Sequence, residues 1–85
     1  MLSLELMTKG DCPLCDIAKK VIDQVIKNYP AELKLSDIEK SPELMEKYSE
    51  RIPVLLIEGK ESFVYKVHEI TLRRKLDRAL RDKEG

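Results

Sequence analysis

The stretch Lys9–Asp16, "KGDCPLCD", separates two regular patterns and holds both cysteines of the chain. Ahead of it, leucines at positions 2, 4 and 6 alternate with other residues, which predicts a β-strand. Behind it, apolar residues recur at helical spacing until Pro30 ends the helix. The predicted buried face of this helix comprises Ile17, Val21, Ile22, Val25, Ile26 and Tyr29. Cys12 and Cys15 are therefore expected where a strand gives way to a helix.

After Pro30 the sequence carries signals for a second strand and a short helix. Leu33 and Leu35 alternate with polar residues, which predicts the strand. The run Ser41–Glu43 combines a capping hydroxyl, a proline at the first helical position and an acid in the first turn. Pro53 ends this helix, because a residue that precedes a proline avoids helical backbone angles.

The last third of the chain predicts a hairpin and a final helix. Val54–Ile57 is continuously apolar, as is typical of a strand covered on both faces. A turn leads to a fourth strand, which is predicted over Phe63, Val64, Tyr65 and Val67. A last helix, starting between His68 and Thr71, is predicted from Leu72, Leu76, Ala79 and Leu80. The order βαβ, α, ββα predicts an α/β fold with a mixed four-stranded sheet and helices on both faces.

Length and charge restrict the classes of function. The 85 residues are enough for a single domain, here residues 1–85. Sixteen basic residues balance sixteen acidic ones, so we expect neither nucleic acid nor a membrane surface as a partner. The first residues lack the basic and apolar regions of a signal peptide, and no apolar run approaches the length of a bilayer span. The sequence therefore predicts a cytoplasmic protein.

The spacing of Cys12 and Cys15 allows three kinds of chemistry. In a redox pair, a cysteine at a helix start is close to free N–H groups and to the positive end of the helix dipole, which favour its thiolate. A structural zinc site needs four ligands, whereas the chain offers two thiols and His68, so a second molecule would have to supply the rest. Inert buried cysteines are the third interpretation. The redox interpretation fits the helix-start position best.

The chain resembles the glutaredoxins of the thioredoxin-like superfamily. The resemblance is carried by the "CPLC" motif after a strand, by Lys9 ahead of it, and by Ile52-Pro53 before an apolar strand. "CPLCDIAKKVI" is similar to the start of small glutaredoxin-like proteins of bacteria and archaea. The resemblance covers nearly the whole chain and implies a thioredoxin-like fold.

The resemblance also implies roles for individual residues. Cys12 would be the attacking thiolate and Cys15 the resolving thiol. Pro53 would be a cis-proline opposite the disulfide, and the backbone of Ile52 would pair with an extended substrate segment. Lys9 would meet a substrate carboxylate.

Two further residues, Pro13 and Leu14, would lie against the substrate. Glutaredoxins that bind glutathione usually have an aromatic residue at the position of Leu14, and a glycine pair and an acid pair at the start of the last helix. This chain has "VYKVHEITLRR" there, so the resemblance supplies no pocket for the amino end of glutathione. His68 in this segment is interpreted as a solvated or helix-capping histidine, with a functional role as the alternative.

The predicted function is that of a thiol–disulfide oxidoreductase that reduces protein or small-molecule disulfides. We expect a monomer without a cofactor or metal, supplied with electrons by a reductase or by glutathione. One alternative is a dimeric binding module that carries a bridged [2Fe–2S] cluster through Cys12 and an external thiol. Another is a non-catalytic interaction domain that uses the fold alone.

Overall fold

A computed structural model describes residues 1–84 as four strands and three α-helices. In chain order they are β1 (Leu2–Thr8), α1 (Pro13–Ile26), β2 (Ala31–Asp37), a 3-10 helix (Ile38–Lys40), α2 (Pro42–Tyr48), β3 (Val54–Ile57), β4 (Lys60–Val64) and α3 (Glu69–Glu84). Each predicted strand and helix is present, and only the 3-10 helix was not predicted. Ser41 caps α2, since its hydroxyl accepts a hydrogen bond from the Leu44 N–H at 3.4 Å.

The four strands form one mixed sheet in the order β2-β1-β3-β4. β1 pairs with β2 in parallel over seven residues, from Leu2 opposite Ala31 to Thr8 opposite Asp37. On its other edge β1 pairs with β3 in antiparallel, and β3 pairs with β4 as a hairpin. The predicted α/β architecture is therefore confirmed.

Two hydrophobic clusters lie on opposite faces of the sheet. The larger joins alternate residues of β1 and β3 to α1 and α3. The smaller is covered by the 3-10 helix and α2 and includes both a cysteine and the residue before Pro53. Its buried members are Met7, Cys15, Ile38, Tyr48, Ile52, Val54 and Leu56.

Two details of the predicted pattern are wrong. Ile17 was placed on the buried face of α1, but its side chain is 56% exposed. The buried stripe runs through Cys15, Ala18, Ile22 and Val25, and Ile17 precedes Ala18, so it points about 100° away. Tyr65 and Val67 were assigned to the fourth strand, but β4 ends at Val64 because Tyr65 has a positive φ of 71°.

No helix formed by residues 1–84 has the length and apolar character needed to cross a lipid bilayer.

We expect Leu4→Ala to destabilise the protein strongly, because Leu4 is 0% exposed and lies in the central strand between Leu33 and Ile57. Truncation of a buried leucine typically costs about 2–5 kcal/mol of unfolding free energy. Leu35→Ala on the edge strand β2 is the matched control, because Leu35 is 47% exposed. Urea denaturation of both oxidised variants measures the difference. Equal losses in the two variants would contradict the assignment of β1 as the centre of the core.

Glu58, in the hairpin turn, ties the start of β1 to the end of α3. Its carboxylate accepts a hydrogen bond from the Ser3 N–H at 2.8 Å and lies 3.2 Å from Lys83 Nζ. The hydrogen bond from Ser3, and then the nearby ammonium of Lys83, lower the pKa of Glu58 below its usual 4.5. A carboxylate with a lowered pKa stabilises the fold above its unfolded-state pKa, and this contribution is lost as the pH falls through the folded-state pKa.

Glu58→Gln should therefore lose stability at neutral pH, and its stability should fall less than that of the wild type on acidification. The difference should develop below about pH 5, where the unfolded-state carboxyl begins to bind its proton. Urea denaturation between about pH 7 and pH 3 measures it, with Glu46→Gln on the exposed face of α2 as control. A constant gap between wild type and Glu58→Gln over this range would contradict the pKa shift.

Candidate redox site

Cys12 and Cys15 form a disulfide at the first turn of α1, with their Cα atoms 5.2 Å apart. Cys12 is the N-cap of the helix, and its Sγ accepts a hydrogen bond from the Cys15 N–H at 3.2 Å. Pro13 is the first helical residue, where a missing N–H costs no helical hydrogen bond. In the reduced protein the same N–H group and the helix dipole favour a thiolate on Cys12.

The two sulfur-bearing residues differ in exposure. Cys15 is 4% exposed and belongs to the smaller hydrophobic cluster, whereas Cys12 is half-buried and packs at the edge of that cluster. A substrate that approaches from solvent therefore meets Cys12 first. The arrangement suits the predicted roles of Cys12 as the attacking thiolate and Cys15 as the resolving thiol.

The loop between β1 and α1 is hydrogen-bonded to the 3-10 helix. The Gly10 N–H donates to Glu39 Oε1 at 3.3 Å, and Glu39 lies on the 3-10 helix. Asp11 follows with a positive φ of 55°, a region that aspartate adopts more readily than most residues. Lys9 is exposed in the same loop and belongs to none of the ion pairs within residues 1–84. Its predicted contact with a substrate carboxylate stays a prediction.

The Ile52–Pro53 peptide bond is cis, as the resemblance implies. Both residues are buried, and Ile52 belongs to the same cluster as Cys15. The Pro53 carbonyl accepts a hydrogen bond from the Tyr65 N–H at 2.8 Å. None of the hydrogen bonds within residues 1–84 uses the backbone N–H or C=O of Ile52. The predicted pairing of this backbone with an extended substrate segment stays a prediction.

Side chains fix the loop that carries Ile52 and Pro53. Arg51 forms an ion pair with Glu61 of β4 at 2.8 Å, and its guanidinium lies 5.4 Å from the centre of the Tyr48 ring. The hydrogen bond from Arg51 is the main cause of a lowered pKa at the Glu61 carboxyl. The Tyr65 hydroxyl donates to the Glu50 carbonyl at 2.9 Å. The loop is thus attached to β4 and to the segment that follows it.

An apolar groove begins at the cysteine motif. It encloses about 380 Å³ and is formed by the first turns of α1 and the segment between β4 and α3. Its lining comprises Leu14, Ile17, Ala18, Tyr65, Lys66 and Val67. Leu14, between the cysteines, was predicted to face a substrate. Ile17 was instead assigned to the buried face of α1, although Leu14 and Ile17 share the i, i+3 spacing of a helix surface. Tyr65 and Val67 were assigned to the fourth strand.

His68, the third candidate ligand of the zinc interpretation, does not join the two cysteines in a metal site. His68 is exposed just before α3, and its backbone carbonyl accepts the Leu72 N–H at 2.8 Å. No three His, Cys, Asp or Glu side chains among residues 1–84 are placed to hold a metal ion together. The zinc interpretation therefore has no ligand set within the described part of the chain.

A thioredoxin-like fold with a close pair of cysteines at the start of its first helix suggests a redox function. Residues 3–77 match the family described as "Glutaredoxin-like domain (DUF836)". The chain belongs to this glutaredoxin-like family, which confirms the resemblance seen in its sequence.

Solved structures share the fold. A structural genomics target protein, XcR50 from X. campestris, is 27% identical, with a TM-score of 0.74 over 88% of this chain and 96% of that chain. A mutant thioredoxin from Halobacterium salinarum is 18% identical, with a TM-score of 0.65 over 91% of this chain and 73% of its own. The oxidised form of mitochondrial thioredoxin 3 from Saccharomyces cerevisiae is 14% identical, with a TM-score of 0.68 over 91% and 77%. Comparison with curated proteins finds no match.

We expect the two cysteine variants to behave differently. Cys15→Ser should accumulate a stable mixed disulfide with a disulfide substrate, because Cys12 can attack but nothing resolves the adduct. Cys12→Ser should form little adduct, because Cys15 is buried. Mass spectrometry of each variant after incubation with an oxidised peptide measures the adduct. Equal trapping by both variants would contradict the assigned roles.

Proposed function

We propose that this protein is a thiol–disulfide oxidoreductase that reduces disulfides in other proteins. The single observation that carries the proposal is the apolar groove that begins at Leu14, between the two cysteines. Exposed apolar side chains that gather beside a reactive group favour a partner with apolar side chains of its own. The free backbone groups of Ile52 favour a partner with an extended backbone.

The reaction follows from the two sulfur positions. The Cys12 thiolate attacks one sulfur of the substrate disulfide, which forms a mixed disulfide and releases the other substrate sulfur as a thiolate. The Cys15 thiolate then attacks Cys12 Sγ, which forms the intramolecular disulfide and releases the second substrate sulfur. Two electrons pass to the substrate, and its two thiolates take up, through water, the two protons that the Cys12 and Cys15 thiols gave up. The structure corresponds to the oxidised protein at the end of this sequence.

The groove favours a polypeptide over glutathione. An apolar side chain that buried about 80 Å² in the groove would gain about 2 kcal/mol. The amino end of glutathione carries an ammonium and a carboxylate, whereas the only charged residue in the lining is Lys66. Lys66 would attract the carboxylate but repel the ammonium, and each charge would lose hydration without a full set of partners.

The proposal includes how the protein is regenerated and where it acts. The oxidised pair has to be reduced by a thiol donor, which is either a reductase or glutathione in excess. Such donors are abundant in the reducing cytoplasm, and the proposal places the protein there. A monomer suits the proposed reaction, because Cys12, Cys15 and the backbone of Ile52 all come from one chain.

The test compares substrates at a matched supply of dithiothreitol. One peptide carries a disulfide with leucine beside the attacked cysteine, a second has aspartate there, and the third substrate is a glutathione mixed disulfide. We expect the leucine peptide to have a kcat/KM about tenfold or more above the others, in line with the apolar area buried. Cys12→Ser corrects for direct reduction by dithiothreitol.

Efficient turnover of the glutathione mixed disulfide, with the peptide disulfides left intact, would contradict the proposal. A brown protein as purified that loses its colour and dimeric state together on acidification would instead support the [2Fe–2S] alternative.

A further inference from the structure

Tyr65 lies where the hairpin ends and has an unfavourable backbone conformation. Its φ is 71°, and the Lys66 N–H donates to the Val64 carbonyl at 2.9 Å, which closes a three-residue turn around it. Three-residue turns with this sign of φ are rare and strained, and a bulky residue is an outlier there. Such strain persists only where surrounding contacts hold the residue in place, and it is typical of functional sites.

Two hydrogen bonds from Tyr65 hold the loop beside the disulfide. Its N–H donates to the Pro53 carbonyl at 2.8 Å, and its hydroxyl donates to the Glu50 carbonyl at 2.9 Å. The two acceptors lie on either side of Ile52, the residue whose free backbone groups suit an extended partner. The N–H and the hydroxyl of Tyr65 thus hold the Glu50–Pro53 loop at both of its ends.

The ring of Tyr65 also contributes a surface. Tyr65, one of three tyrosines in the chain, is 52% exposed. Its ring lines the groove opposite Leu14 and Ile17. A flexible side chain could move out of the way, but both ends of Tyr65 are hydrogen-bonded. The ring therefore forms a fixed wall rather than an adaptable one.

We infer that Tyr65 is a positioning and specificity-determining residue for the reduction of protein disulfides. Its hydroxyl and N–H fix the Glu50–Pro53 loop beside the disulfide, and its ring forms one wall of the site that receives an apolar side chain of the substrate. This inference rests on the proposed function. The occupant is the extended segment that carries the target disulfide, because the groove is continuous with the cysteine motif at Leu14.

Three variants of Tyr65 separate the contributions of its hydroxyl, its ring and its strained backbone to turnover and stability. Tyr65→Phe removes only the bond to Glu50, and we expect KM for the leucine peptide to rise about two- to tenfold. Tyr65→Gly and Tyr65→Ala both remove the wall, and we expect kcat/KM to fall about tenfold or more. The glycine variant should melt at a higher temperature than the alanine variant, because only glycine adopts this φ without strain.

A small disulfide that cannot fill the groove separates positioning from general damage. With 2-hydroxyethyl disulfide as substrate, we expect kcat/KM of the three variants to fall less than it does with the leucine peptide, because the small disulfide does not contact the ring of Tyr65. Tyr29→Phe is the control, because Tyr29 lies beyond the C-terminal end of α1, away from the disulfide, and its hydroxyl donates to Asp77 Oδ1 at 2.9 Å, with the Arg73 carbonyl also at 3.2 Å. We expect this control to retain wild-type turnover of both substrates.

The outcomes distinguish the inference from the function on which it rests. Equal loss with the peptide and the small disulfide, or wild-type peptide turnover in Tyr65→Gly, would overturn the role of Tyr65. If the wild type itself does not reduce peptide disulfides, the proposed function fails and the inferred specificity role fails with it. Hydrogen exchange then tests the positioning separately: Tyr65→Phe should speed exchange of the Arg51 N–H, which is bonded to the Tyr48 carbonyl. Unchanged exchange would overturn the positioning role as well.

Discussion

The pairing of β1 on both of its edges is the constraint on which the rest of the structure depends. β1 is bonded along seven residues to β2 and along four to β3, so its carboxyl end has a defined position. The helix N-cap, Cys12, follows that end after a short loop. A one-residue slip of β1 would turn its buried leucines toward the other face. The hydrophobic alternation of one strand therefore determines where the disulfide lies.

Of the two hydrophobic clusters, only the smaller one contacts the cysteine pair. The larger cluster joins the sheet to two long helices and contains neither cysteine. The smaller one packs Cys15 and Ile52 beneath α2, a helix of seven residues. Buried Tyr48 closes this cluster, and the guanidinium of Arg51 lies over its ring. Cys12 and Cys15 thus pack against the smaller cluster. A local rearrangement there disturbs fewer contacts than one in the larger cluster.

The sequence was sufficient to predict the elements, the mixed sheet and the cysteine pair, because each depends on local pattern or spacing. It was not sufficient for the groove. Ile17 was assigned to the core since helical periodicity alone does not show that Ala18 is the residue that meets the sheet. Tyr65 was assigned to a strand since it follows Val64 in an apolar run, and only the backbone shows the turn. The groove arises from two segments that lie far apart in sequence, so no local pattern reveals it.

The contact of Lys83 with the start of the chain has a consequence for linkage to other domains. Lys83 Nζ donates to the Met1 carbonyl at 2.7 Å, so the two ends of the described chain meet. They meet at the amino end of β1, roughly 20 Å from its carboxyl end for seven residues of strand. A fusion partner attached at either end, or a short linker that closes the chain into a circular permutant, would therefore lie on the opposite side of the molecule from the disulfide.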